Sequence, residues 1–159
     1  MQEKFYIAYG SNLNKAQMKD RCPKATVFGT AEIKDYQLLF KKSKTKYYLT
    51  IEKKEGSIVP VAVWKITETD EKELDKREGV KTGCYYKAEM ELSVKCVADN
   101  QVRKIRGLIY IQPETHEIGQ PTAEYMATCL QGYKDFGFDE SILKKAEELS
   151  RNSGDASGN

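Results

Sequence analysis

The run Ile58-Val59-Pro60-Val61-Ala62-Val63-Trp64-Lys65-Ile66 decides the fold. Successive side chains of an extended chain point to opposite faces, so Ile58, Pro60, Ala62, Trp64 and Ile66 share one face and Val59, Val61 and Val63 the other. Both faces are largely apolar, which marks a central strand covered on both sides. Proline donates nothing to a ladder, so Pro60 belongs near the strand's start. Upstream, Tyr47 to Glu52 reads as a partner strand, joined through Lys53-Lys54-Glu55-Gly56. Ala25 to Ile33 and Tyr36 to Phe40 read as two more, with a turn at Lys34-Asp35. Phe5-Tyr6-Ile7-Ala8-Tyr9 is a short apolar first strand that Gly10 stops. Ser11, Asn12 and Asn14 supply caps for a helix over Lys15 to Arg21, which Pro23 ends.

Downstream, Thr69 to Glu78 reads as a charged helix with Thr69 or Asp70 as N-cap, Leu74 as its inward anchor and Gly79 as its stop. Tyr85 to Val94 and Val102 to Ile111 pair across a turn at Asp99-Asn100. Pro121 opens a helix to about Gln131, closed by Gly132. Asp139 caps a last helix with Ile142, Leu143, Ala146 and Leu149 on one face. Hairpin pairs interrupted by helices give an α+β class: a small mixed β-barrel of six or seven strands with three or four peripheral helices. Residues 1–150 form one domain, and the small, polar segment 151–159 is expected to be a disordered tail.

Composition narrows the chemistry. Lys plus Arg number 26 against 24 Asp plus Glu, and the resulting charge of +2 gives no ground for a nucleic-acid partner. The basic run Lys41 to Lys46 reads as a solvated loop, with an RNA-contacting patch as the alternative. No stretch approaches the ~20 apolar residues of a spanning helix, and the N-terminus lacks a secretory signal. Cys22, Cys84, Cys96 and Cys129 contain no Cys-x-x-Cys pair, which fits free thiols in the cytoplasm. His116 is the only histidine, so a multi-histidine metal site is excluded. Catalysis falls to carboxylates, tyrosines and backbone groups.

Two segments stand out. At Tyr9-Gly10-Ser11-Asn12-Leu13 a strand gives way to a helix, and successive N–H groups either form a nest for an anion or are simply capped. At Arg77-Glu78-Gly79-Val80 a carboxylate stands at a helix C-terminus, where carbonyl dipoles disfavour its charge. Glu78 is therefore either one more surface carboxylate or a group whose pKa is raised for a purpose. Ten tyrosines are generous for this length, and Tyr85 and Tyr125 lie where either core packing or a site would use them.

Phe5-Tyr6-Ile7-Ala8-Tyr9-Gly10-Ser11-Asn12-Leu13 resembles the signature of the γ-glutamylcyclotransferase family, and Leu74-Asp75-Lys76-Arg77-Glu78-Gly79-Val80-Lys81-Thr82-Gly83-Cys84-Tyr85 is similar to its catalytic segment. The order and spacing of these segments, with Val61-Ala62-Val63-Trp64-Lys65 between them, agree with the family. The likeness continues weakly through Tyr125 to about Leu149. It implies a mixed β-barrel with helices, a γ-glutamyl site at Tyr6, Ile7, Ala8, Tyr9, Gly10 and Ser11, Glu78 as catalytic acid/base, Tyr125 in contact with substrate and Tyr85 nearby. It assigns no role to Cys84 and does not reach the run Lys41 to Lys46, which is expected to shape the leaving-group side. No metal or organic cofactor is expected.

The reaction so implied is internal aminolysis: the α-amine of a γ-glutamyl group attacks its own δ-carbonyl, 5-oxoproline forms and the attached amine leaves. The expected partner is a small-molecule γ-glutamyl substrate, with no nucleic acid and no membrane. The oligomeric state stays open, a homodimer included. A non-catalytic relative binding a small acidic metabolite, and the same cyclisation on a larger γ-glutamyl-protected amine, are the rival readings.

Overall fold

The computed structural model describes residues 4–157. Its centre is a closed barrel of five strands in the order β1-β3-β2-β4-β5: β1 (Lys4–Ala8), β2 (Thr26–Ser43), β3 (Lys46–Ile66), β4 (Tyr86–Cys96) and β5 (Val102–Ile111). Four helices surround it: α1 (Lys15–Arg21), α2 (Glu68–Arg77), α3 (Ala123–Phe136) and α4 (Glu140–Ser157). A 3-10 turn, Ser11–Leu13, links β1 to α1.

The central role of residues 58–66 follows from their pairing. β3 runs antiparallel to β1, with Ala8 opposite Ala62, and to β2, with Ala31 opposite Val61. Val59, Val61, Ala62 and Val63 are fully enclosed. One face presents Trp64, which meets Phe136 of α3 edge-on at 6.2 Å. Antiparallel β4–β5 pairing, as expected, runs from Tyr86–Ile111 to Lys95–Val102. A parallel contact, Tyr6 with Leu108, joins β5 to β1. The β2–β4 seam has only two registered pairs, Gly29 with Cys96 and Thr30 with Lys95.

There are five strands rather than six or seven because two expected turns do not reverse the chain. Lys34-Asp35 and Lys53 to Gly56 lie opposite each other in one long hairpin. Tyr36 pairs with Lys53 and Lys34 with Ile58, so Asp35 and residues 54–57 are left out of register. Asp35 (φ 63°) and Gly56 (φ 85°) take the left-handed conformation, and the Gly56 N–H donates to Asp35 Oδ1 at 3.0 Å. The result is a bulge that bends the hairpin without ending it.

The actual reversal lies inside the basic run read as a solvated loop. β2 continues through Ser43, and Ser43 pairs with Lys46 across Lys44-Thr45. Lys41 is only 5% exposed. Its ammonium pairs with Glu52 and donates to the Glu114 carbonyl at 2.8 Å.

Several helix boundaries also differ, and α3 begins at Ala123 after its N-cap Thr122, so Pro121 precedes the helix. Thr67 rather than Thr69 or Asp70 is the N-cap of α2: its side chain accepts from the Asp70 N–H and Asp70 accepts from the Thr67 N–H, a capping box. Thr67→Ala should cost about 1 kcal/mol, read as a lower melting temperature. α3 does not stop at Gly132 but runs to Phe136, with Gly137 (φ 68°) as its left-handed cap. Gly132 is there for packing: a Cβ would come within 2.7 Å of the Asn14 nitrogen and of Leu13. α4, capped by Asp139, packs on β2 and takes in residues 151–157 of the expected tail; residues 158 and 159 lie outside the described residues.

Candidate active site

β1 ends at Ala8, and the chain turns across the barrel mouth through Gly10. The Leu13 N–H donates to the Gly10 carbonyl at 3.0 Å, the first bond of the 3-10 turn. The N–H groups of Gly10, Ser11 and Asn12 precede it and find no acceptor in the loop, cap and side-chain bonds of the described residues. Three donors without a partner in those bonds thus follow one another at the junction where the nest was expected.

This junction forms one wall of a cavity of about 400 Å³. Tyr6, Ile7, Tyr9, Gly10, Ser11, Glu78, Tyr85 and Tyr125 all line it, so residues from five separate elements or loops converge on one space. Ala8 is the exception among the expected positions; it is enclosed and lies outside the cavity lining.

Glu78 is the C-cap residue of α2, with its N–H donating to the Leu74 carbonyl. It remains partly open to the cavity. Burial pushes its carboxyl up to about 7, against a smaller downward pull from the Arg21 guanidinium. Gly79 (φ 65°) then lets the chain turn sharply away. A carboxyl at this value exchanges protons in either direction near neutral pH.

The tyrosines play different parts. Tyr85 donates to the Leu49 carbonyl at 2.8 Å and receives Gln112 Nε2 at 3.3 Å. Tyr125, from the first turn of α3, accepts the Leu49 N–H at 3.1 Å and packs edge-on against Tyr48 at 5.0 Å. Burial holds both phenols well above their ordinary value, so they act as neutral hydroxyls. Tyr9 donates to the Tyr110 carbonyl at 2.5 Å, tying the first motif to β5.

An AIG2-like family model matches residues 58–145. The bovine and human γ-glutamylcyclotransferases are each 30% identical over 154 residues, covering 92% of this chain and 79% of theirs. The chain belongs to the AIG2-like, γ-glutamylcyclotransferase family. A solved γ-glutamyl cyclotransferase structure superposes with a TM-score of 0.80 at 26% identity, over 92% of this chain and 87% of that one. The five-stranded barrel with four helices is thus the fold of the γ-glutamylcyclotransferases.

Several cavity residues of this γ-glutamylcyclotransferase-family chain were not singled out from the sequence. Asn12, only 3% exposed, is the hub of one wall. Its Oδ1 accepts from Gln17 Nε2 at 3.0 Å and Arg21 Nη1 at 2.9 Å, while its Nδ2 donates to the Tyr6 hydroxyl at 2.9 Å. The spacing of Gln17 and Arg21, four residues apart on one face of α1, was the available signal. On the opposite wall, Cys84 is held below the ordinary thiol value by hydrogen bonds with Thr82 and Ser43. Ser43, Lys44, Thr45 and Lys46 bring the β2–β3 turn into the same lining.

Proposed function

We propose that the chain is a γ-glutamylcyclotransferase-type enzyme: the α-amine of a γ-glutamyl group attacks its δ-carbonyl, releasing 5-oxoproline and the attached amino acid or amine, with Glu78 as general base and then acid. The observation that carries this reading is a carboxyl pushed up to about 7, in one cavity with an unpaired N–H nest. The N–H groups of Gly10, Ser11 and Asn12 suit the substrate's α-carboxylate. Tyr6, Ile7, Tyr9, Tyr85 and Tyr125 would then shape the remaining walls. Nucleophile and electrophile belong to one molecule, so fixing its fold contributes several kcal/mol, up to about 7–11 in favourable cases.

The proton balance suits a single carboxyl. The new bond joins the α-nitrogen to the δ-carbon, and the bond from that carbon to the leaving nitrogen breaks. The attacking ammonium sheds two protons in becoming the lactam N–H. The departing amine gains two in becoming an ammonium. Glu78 needs only to accept protons at one nitrogen and return them at the other. The free thiols of Cys22, Cys84, Cys96 and Cys129 support a reducing, cytoplasmic setting.

Incubation with γ-glutamyl amino acids and γ-glutamyl amines, scoring 5-oxoproline by mass spectrometry, tests the reading. Product formation is expected. No turnover, with a γ-glutamyl compound still raising the melting temperature, would instead make the chain a binding protein on this fold.

Substitution at Gly10 tests the nest separately. A Cβ there would lie 3.5 Å from Leu49 Cβ and from the Tyr125 hydroxyl, which is ordinary contact. Gly10→Ala should therefore change KM by about twofold at most, whereas the branched carbons of Gly10→Val should occupy the nest and raise KM about tenfold or more. Equal KM values for both variants would remove the nest from the mechanism.

A further inference from the structure

Charge is distributed unevenly around the cavity. Arg21, Lys44, Lys46, Lys76 and Arg77 line it, against Glu78 as the one lining carboxylate. Two of the cations are engaged: Arg21 with Asn12 Oδ1 at 2.9 Å, and Arg77 Nε with Glu73 at 3.0 Å. Among the described residues Lys44, Lys46 and Lys76 form no ion pair.

What touches each end distinguishes the two sides. The nest lies beside Leu49 and the Tyr125 hydroxyl, with Asn12 and Arg21 on the same wall. Another part of the lining is the tip of the β2–β3 hairpin, where Ser43, Lys44, Thr45 and Lys46 share the cavity with Cys84. Cys84 in turn packs on the turn that follows Glu78: a Cβ added at Gly79 would stand 3.0 Å from Cys84 Cβ. Glu78, the unpaired N–H groups of the first motif and the hairpin tip therefore line one cavity. With its α-carboxylate on those N–H groups and its scissile bond at Glu78, a γ-glutamyl group would leave Lys44 and Lys46, with Lys76, as the unpaired lining cations available to its leaving group.

The hairpin is placed firmly enough to read that group. Below the tip, Lys41 is buried against Glu52 and the Glu114 carbonyl. The Lys42 N–H donates to the Glu117 carbonyl at 2.7 Å, and the Gly119 N–H to the Phe40 carbonyl at 3.1 Å. The two-residue turn Lys44-Thr45 then fixes where both lysine stems begin.

We propose that Lys44 and Lys46, at the tip of the β2–β3 hairpin, are specificity-determining residues that select a leaving amine carrying its own carboxylate. The inference rests on the cyclotransferase reading above. Two ammonium groups at the mouth of a partly enclosed cavity attract a leaving-group carboxylate and leave a neutral leaving group unaffected. The effect is electrostatic and partly exposed, so salt weakens it.

The test compares γ-glutamylglycine with γ-glutamylglycinamide, which differ only in that carboxylate, on the full chain and on a Lys44→Asn/Lys46→Gln variant. Asparagine suits the left-handed conformation of Lys44 (φ 64°), so the turn should survive. An unchanged melting temperature checks this. The wild type is expected to favour the acid in kcat/KM by about tenfold at low ionic strength, with the ratio falling as salt is added. The variant's ratio should approach one. A Lys44→Glu/Lys46→Glu variant should reverse the preference towards a γ-glutamyl diamine whose free end is an ammonium. Equal kcat/KM of the wild type on acid and amide, or a ratio untouched in the neutral variant, overturns the inference while leaving the cyclotransferase reading intact. Absence of 5-oxoproline from every substrate overturns both.

Discussion

Glu78→Gln is expected to lower kcat by about 10²–10⁴-fold while leaving the fold intact. Glutamine keeps the shape of the side chain and its place at the end of α2, but it neither accepts a proton from the ammonium nor returns one to the leaving nitrogen. Wild-type kcat/KM should rise with pH through about 7, the value to which burial pushes Glu78, as the base form becomes populated. The variant should lack that limb. Stability should move the other way. The folded state holds the Glu78 proton more tightly than the unfolded chain, whose carboxyl titrates near 4.5. This contribution is fully present below about 4.5 and is lost as pH rises through about 7. Above that range the wild type buries a charge that glutamine does not carry. Glu78→Gln should then be the more stable protein, by on the order of 2 kcal/mol. Melting curves and initial rates from pH 4 to pH 9 read both effects. A variant with normal turnover would remove Glu78 from the chemistry.

Gly29→Val is expected to give the largest loss of stability among single changes away from the cavity. The barrel closes between β2 and β4 through only two registered pairs, and Gly29 is in one of them. A Cβ at Gly29 would stand 2.2 Å from the Lys95 carbonyl oxygen and 2.6 Å from Val94 Cγ1. The nearer atom is backbone, so no side-chain rotation relieves the overlap; the strands must part. Such overpacking should cost about 3 kcal/mol or more, and a domain of this length then melts on the order of 10 °C lower. Calorimetry on the variant is the check. An unchanged melting temperature would mean that the β2–β4 seam does not carry the closure of the barrel.

The site was legible wherever one short segment carried its own signal. The glycine at position 10, between an apolar strand and a helix start, announced the nest. Glu78 showed itself as a carboxylate at the wrong end of a helix; its pKa is raised, as that placement suggested, but burial is the cause where helix carbonyls were expected. Arg21 was missed, and Asn12 was read only as a cap within the first motif, because a helix-start asparagine and a helix-end arginine are ordinary in sequence. Only the approach of Tyr6 and Glu78 makes them a polar wall. The burial of Lys41 was missed because a lysine-rich run reads as solvated until its neighbours, Glu52 and the Glu114 carbonyl, are known.

By itself the sequence determined the order of the elements, the covered central strand from Val59 to Ile66 (Ile58, expected with it, is exposed), the β4–β5 hairpin and the family. Each of these is written in alternation, capping and turn chemistry among residues a few positions apart. The tertiary structure alone decided how many strands there are, and what individual glycines do. Lys34-Asp35 and Lys53 to Gly56 each look like a reversal, yet facing one another across a hairpin they make a bulge. Gly132 looks like a helix stop, yet α3 runs through it, and the glycine is there because Leu13 and Asn14 leave no room for a Cβ. Helix-breaking and turn propensities are worth only about 1 kcal/mol per residue. Packing against a distant segment outweighs them, and that segment is invisible until the chain has folded.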